Sequence, residues 1–355
     1  MDPLTHLLTG ACLSRSGFNR KTTLATPVMV LAAEIPDIDV VAYLGGPVTG
    51  FAHHRGFTHT LLGTLFDAAL VVGLVYLLHR LYRRWRQPSE GAAGPRWGLL
   101  YLFAVMAALS HLLLDYTNSY GVRPFAPFNW RWYSWDIVSI IEPVILAALV
   151  IGLTVPPLLS LIGEEIGERR RKAPRGRGGA VFALLVIVTL WGVRDFQHRR
   201  AVAALDSLLY EGKAALRVSA FPYTLTPFRW HGVVETEDHF EELLVSSRAG
   251  EVDREGRARV RYKPEETPVT LAAKRSYLAR VYLDWAQYPI WEVEETNDPK
   301  RAYIVRFLDL RYDYPPPSGA GSALRCAVVL DRNLNVVAEI WGAKSQAVIL
   351  EPEAR

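Results

Sequence analysis

Cysteine is nearly missing: Cys12 and Cys326 are the two in 355 residues. They fall in stretches of unlike character, so an internal disulfide framework is not expected. Also missing are a Gly-rich phosphate loop, an H-E-x-x-H pair and a G-x-S-x-G elbow, which argues against a nucleotide enzyme, a zincin protease and a serine hydrolase. Met1–Cys12 has no basic leader and no small-residue cleavage site, so no cleaved signal peptide is expected. The net charge of +4 is small and sits almost wholly in turns between apolar runs. No nucleic-acid partner is expected from it.

Apolar residues make up 50% of the chain, and they are unevenly spread. Up to residue 196 the sequence is a series of apolar runs, and from Gln197 it is mixed and strongly charged. Four runs approach the roughly 20 helical residues that cross a hydrocarbon layer: Thr60–Tyr82, Trp97–Leu114, Ile137–Ile162, and Ala180–Val193 with its flanks. Two shorter ones, Leu4–Leu13 and Thr22–Ile35, can equally be re-entrant or interfacial. The fold class read from this is an α-helical transmembrane bundle of four to six spans over residues 1–196, then a soluble, mostly antiparallel α+β domain over 197–355. In the second part short alternating runs such as "HGVVETEDHFEELLVS", "AYIVRFLDLRY" and "NVVAEIWG" are separated by turns such as "SRAGEVDREG" and "PPPSGAGS". One helix, Thr270–Trp285, interrupts them.

Lysine and arginine in short connections are held on the cytoplasmic side of a membrane. Here they concentrate in alternate turns: Arg15, Arg20 and Lys21; Arg80, Arg83, Arg84, Arg86 and Arg96; Arg169–Lys172, Arg175 and Arg177. The other turns carry only Arg55, Arg123, Arg131 and Arg194. A six-span arrangement fits this bias, with the C-terminal domain and the stretch "HHRGFTHT" (His53–Thr60) on the extracytoplasmic side.

Three histidines at the threshold of an apolar run need partners, and the same membrane level offers them. His111 and Asp115 of "SHLLLDYTNSYG" are four apart and share a helix face. In "EIPDIDVV", Pro36 interrupts a helix, and Asp37 and Asp39 on an extended segment can point the same way. His6 sits near the start of the first helix. Within "HHRGFTHT", a bend at Gly56 into a helix capped at Thr58 would let His54 and His59 converge. His53 reads as the odd one out, and Arg55 as a supporting or anion-holding group. The metal-ligand candidates are therefore His6, Asp37, Asp39, His54, His59, His111 and Asp115. Imidazole with carboxylate and no thiol suits zinc, with manganese or iron as alternatives. Seven candidates exceed the three protein ligands of one catalytic zinc, which points to two ions.

In this order, "MDPLTHLLTG", "IPDIDVV", "HHRGFTHT" and "SHLLLDYTNSYGVRPFAPF" resemble the membrane-bound metal-dependent hydrolase family, the group typified by an inner-membrane protein reported to bind the LexA repressor. The motifs cover roughly residues 1–145, and "FPYTLTPFRWHGVVE", "DWAQYPIWEVEE" and "FLDLRYDY" are similar to the C-terminal part of longer members. The resemblance implies hydrolysis at a metal carried by the seven candidates. It supplies no substrate, and nothing in the sequence carries repressor binding over. "HLLLDYTN" is also similar to the H-x-x-x-D-x-x-N helix of zinc-dependent phospholipase C, which tilts the reaction toward phosphoesters.

Asp136 and Glu142 in "SWDIVSIIEPV" are candidates for a general base or a supporting role, and Asp67 and Glu34 are further acids beside or within apolar runs. Asn118, Ser119 and Tyr120 are candidates for substrate contacts or a plain turn. "FNWRWYSWD" reads as an interfacial aromatic anchor. The function expected is an integral membrane metal-dependent hydrolase cleaving a phosphoester or other ester of a lipid or lipid-linked substrate by a metal-activated water, with Arg55 steadying the anion. The alternative is a non-catalytic membrane module with a structural metal site and a partner-binding outer domain. A transporter is disfavoured because the donors gather at one leaflet.

Overall fold

Asp2 opens the first helix. In the computed structural model, which describes residues 1–85, 94–165, 176–256, 258–314, 324–342 and 348–350, the Asp2 carboxylate accepts from the Thr5 N–H at 3.0 Å. Pro3 takes the first position of α1 (Pro3–Arg15). α2 (Ala25–Glu34) lies close along α1 because Gly10 has no side chain: a Cβ there would stand 2.6 Å from the Met29 carbonyl oxygen. Pro36 follows the end of α2, and the chain continues as a 3₁₀ run, Ile35–Gly45, and the short α3 (Pro47–His53). α4 (Leu61–Trp85) is capped by Thr60, whose Oγ1 accepts from Gly63 N–H at 2.7 Å, so the cap falls two residues beyond the expected Thr58. α5 (Trp97–Tyr116), α6 (Pro143–Glu165) and α7 (Arg177–Asp206) follow.

Three of these, α4, α5 and α7, are long and apolar enough to cross a membrane, and Pro143–Leu159 of α6 is a shorter apolar stretch. The third expected run loses its first residues because Ile137 and Val138 instead donate their N–H groups to the Thr117 carbonyl, and the helix starts at Pro143. α1 and α2, of 13 and 10 residues, are too short at 1.5 Å per residue to cross about 30 Å. The basic residues Arg86, Arg169–Lys172 and Arg175 and the "PPPSGAGS" turn lie outside the described residues.

The chain forms two compact units, Met1–Val40 with His53–Phe196, and Val41–Ala52 with Gln197–Arg355. In the first, Val28, Met29 and Ala32 of α2, Ala68 and Val71 of α4, and Phe103, Ala104 and Ala107 of α5 make one buried cluster. Mostly small side chains let these helices approach closely, as membrane helices do.

The second unit is built on two antiparallel sheets. β1 (Arg217–Pro222), β2 (Arg229–Glu235), β3 (His239–Ser246) and β4 (Glu251–Asp253) pair in that order, and β5 (Arg259–Tyr262) also pairs with β3. Where one helix was expected there are two, α8 (Pro268–Lys274) and α9 (Tyr277–Trp285), because the Ser276 hydroxyl accepts from the Ala279 N–H and caps a fresh start. β6 (Pro289–Glu295), β7 (Tyr303–Asp309), β8 (Arg325–Leu330), β9 (Val336–Trp341) and β10 (Val348–Leu350) form the second sheet in reverse order. Phe51 of α3 is buried in this unit against Trp285 and Trp341.

Candidate metal centre

Four separate pieces of the first unit deliver donors to one place. α5 presents His111 and Asp115 one turn apart. The His111 Nδ1 lies 2.8 Å from the Ala33 carbonyl, which can only accept, so Nδ1 carries the proton and the Nε2 lone pair faces the site. His59 stands just before α4, its Nδ1 3.2 Å from Asp39 Oδ2, which by the same logic leaves its Nε2 bare. The two Nε2 atoms are 3.0 Å apart.

Around them, Asp37 Oδ1 lies 3.3 Å from His59 Nε2 and 3.6 Å from His111 Nε2, while Asp115 Oδ2 lies 3.4 and 3.6 Å from the same atoms. Asp37, His59, His111 and Asp115 each offer one ligand atom within 4.8 Å of the others. Two lone pairs facing each other beside two carboxylates repel unless a cation joins them. Asp115 Oδ2 and His6 Nδ1 are buried without hydrogen-bond partners, and the donor set fits a divalent ion. His6 stacks on His111 with ring centroids 3.6 Å apart and reaches Asp115 at 3.4 Å. The Met1 nitrogen lies against Asp115 and 2.9 Å from His6 Nε2.

A second donor group, Asp37, Asp39 and His54, shares Asp37 with the first. His54 Nδ1 is 3.1 Å from Asp39 Oδ1. The two aspartates were expected on an extended segment pointing the same way. They stand instead on the 3₁₀ run, where three residues per turn aim neighbours two apart in different directions, so Asp37 meets His111 while Asp39 meets His54 and the Arg55 N–H at 2.7 Å. Burial opposes the charge on Asp37. Asp39 is likewise opposed by burial and lowered by His54 and His59. The bend in "HHRGFTHT" includes Gly56 as expected, where a Cβ would stand 2.6 Å from the His53 carbonyl oxygen, and it begins one residue earlier at Arg55, with φ +57°.

Three candidates take other places. Arg55 is buried, and its guanidinium donates to Asp115 Oδ1 at 2.9 Å, the Gly121 carbonyl at 2.9 Å and Asn118 Oδ1 at 3.3 Å. It braces Asp115 and the turn after α5, the supporting one of the two roles expected of it. Glu142 pairs with Arg194 of α7 at 2.9 Å, both fully buried. Asp136 joins neither donor group. Its neighbours Trp135 and Ile137 are bound through their N–H groups to the Tyr116 and Thr117 carbonyls. Asp67 is buried in α4 outside the donor groups, and exposed His53 takes no part. Asn118 accepts from the Tyr120 N–H at 2.9 Å as well as from Arg55, a turn-forming role. The Ala33 carbonyl that orients His111 was invisible to motif reading, since every residue has one.

A third group, Glu211, Asp238 and His239, lies in the second unit, with both acids exposed.

Comparison with known proteins matches residues 1–201 to the model of a family described as YdjM inner membrane protein. The uncharacterized protein YfhP of Bacillus subtilis strain 168 is 26% identical over 329 residues, which span 88% of this chain and 87% of that one. No solved structure matches.

Proposed function

The chain belongs to the YdjM inner membrane protein family, and from that premise we propose that it is a metal-dependent hydrolase of phosphoesters, or other esters, on lipid or lipid-linked substrates. The observation that carries the reading is the pair of bare imidazole nitrogens 3.0 Å apart, enclosed by Asp37 and Asp115. His59, His111, Asp115, Asp37 and His6 would hold one divalent ion. Asp37, Asp39 and His54 would hold a second, with Asp37 common to both. The nitrogen and oxygen donors favour zinc, with manganese or iron as alternatives. Such ions supply a Lewis acid for a phosphoryl or carbonyl oxygen and lower the pKa of a bound water.

The chain's own residues divide the work. Ala33 and Asp39 hold the tautomers of His111 and His59, and Arg55 orients Asp115. The side chains of Asp37 and His54 are 20% and 27% exposed, so this edge of the cluster is where a polar headgroup enters. The bias of Arg15, Arg20, Arg80, Arg83 and Arg84 toward one set of turns supports a cluster and C-terminal unit facing the extracytoplasmic side.

A second reading rests on a specific feature. His6, His59 and His111 are fully buried, as in a closed structural site, and on that reading the ion only pins helices together. Metal analysis of the detergent-purified protein beside His59→Ala and Asp115→Ala tests the centre. Both variants should lose at least one equivalent, and undiminished content in both removes it. Chelator-sensitive release of phosphate or headgroup from lipid phosphoesters by the wild type then distinguishes enzyme from scaffold.

A further inference from the structure

Far from the donor cluster, a cavity of about 530 Å³ opens at the C-terminal end of α4. Tyr76, His79, Arg80, Arg83 and Arg84 line it from one helix, spaced three and four apart along a single stripe, and Trp97 faces them from the start of α5. The Trp97 ring meets Tyr76 edge-on at 4.9 Å and His79 at 5.8 Å. Among the described residues, none of the three arginines has an ion-pair partner, and all three are exposed. Among the described residues, the lining contains no carboxylate.

We propose that this cavity binds the phosphate of an anionic phospholipid headgroup from the leaflet opposite the donor cluster. From Leu61 to Arg80 the helix rises about 29 Å at 1.5 Å per residue, the thickness of the hydrocarbon layer. A donor cluster at one headgroup level therefore puts the arginines at the other. Guanidinium groups match phosphate oxygens through paired N–H donors, and tyrosine and tryptophan settle at the same depth. Leu74, Leu77, Leu78 and Leu81 are exposed on α4 just below, an apolar face for the acyl chains. Positive charge at the end of a span suffices to set topology, but topology requires neither the concave shape nor the aromatic wall. The bilayer is the source of this ligand, since free phosphate has no use for the leucine face.

The test uses the full-length protein in nanodiscs or detergent, with phosphatidylglycerol, phosphatidylcholine and inorganic phosphate as probes and native mass spectrometry or thermal shift as readout. The wild type should retain phosphatidylglycerol in preference to phosphatidylcholine, and Arg80→Gln, Arg83→Gln and Arg84→Gln should each weaken that binding about fivefold. Tyr76→Leu, which leaves every charge in place, should reduce it too and guards against a charge variant that inserts wrongly. Equal retention of the two lipids, unchanged binding in the arginine variants, or full displacement by inorganic phosphate would overturn the proposal.

Discussion

At the residue scale the centre depends on who braces whom. Arg55 is 3% exposed and joined to Asp115, whose own side chain is 1% exposed. Replacing Arg55 by Met takes the guanidinium away from a buried carboxylate, a loss bounded by the about 3–5 kcal/mol of breaking a buried ion pair. Arg55→Lys keeps the charge without the fork that spans Asp115 and the Gly121 carbonyl, and should fall between wild type and Met. Unfolding in detergent, followed by near-UV circular dichroism, orders the three. The donor types were legible because histidine and aspartate are scarce near apolar runs and their spacing survives translation into helix faces. Their pairing was not, since which nitrogen meets which oxygen is decided by the 3₁₀ turn at Ile35–Gly45 and by a backbone carbonyl. Glu142 illustrates the loss: its partner, Arg194, lies on a helix whose neighbours no local pattern names.

His231 gives a residue-level test outside the membrane part. It is fully buried with Nε2 donating to the Leu310 carbonyl at 2.9 Å, and burial, more than the nearby Arg259, pulls its pKa down to about 4 despite that bond. An unfolded histidine titrates near 6.5. The neutral ring therefore contributes stability above about pH 6.5 that is lost as the pH falls toward 4, about 3 kcal/mol at most. Glu242, raised by burial to about 7, works in the opposite sense, its contribution being lost as the pH rises. The quantity to measure is thus the difference between wild type and His231→Gln, which should shrink steadily across that window. A difference that stays flat with pH removes the argument.

At the element scale, glycine sets how near α1 comes to α2. A Cβ at Gly10 would stand 2.6 Å from the Met29 carbonyl and 2.7 Å from the Ala33 Cβ. α1 carries His6, and the end of α2 carries the carbonyl that orients His111, so this helix pair frames one side of the cluster. Gly10→Leu should push α1 outward at a cost of about 1–3 kcal/mol and lower metal content in protein that still inserts. Gly73→Leu, where a Cβ meets nothing within 4 Å, serves as the neutral comparison. Long apolar periodicity made α4, α5 and α7 easy to see. The starts of α6 and α9 were harder, because Pro143 and the Ser276 hydroxyl set them locally within otherwise helix-compatible runs. Nothing in "VVAYLGGPVTGF" announced that Phe51 packs with residues more than 200 positions away.

At the scale of the whole molecule, the donors come from four stretches spread between residues 6 and 115, so the unfolded chain has no site and any binding free energy is folding free energy. An ion present at 100 times its dissociation constant adds about 2.7 kcal/mol, which for a unit of this size corresponds to roughly 5–10 °C in Tm. Chelation should therefore lower the Tm of the wild-type membrane unit by that amount and restoring zinc should return it. Asp115→Asn removes a negative charge from the shared edge of His6, His59, His111 and Arg55, and its Tm should respond less to chelator than that of the wild type. The second unit, whose cores gather Trp230, Val234 and Leu243 in one cluster and Phe221, Tyr288 and Leu308 in another, contains neither of the two donor groups that share Asp37, and its own group, Glu211, Asp238 and His239, has both acids exposed. Its transition, read from the β-sheet signal in far-UV circular dichroism, should stay where it was on chelation, on restoring zinc and in Asp115→Asn. A chelator shift of equal size in wild type and Asp115→Asn would place the stabilising ion somewhere other than this cluster.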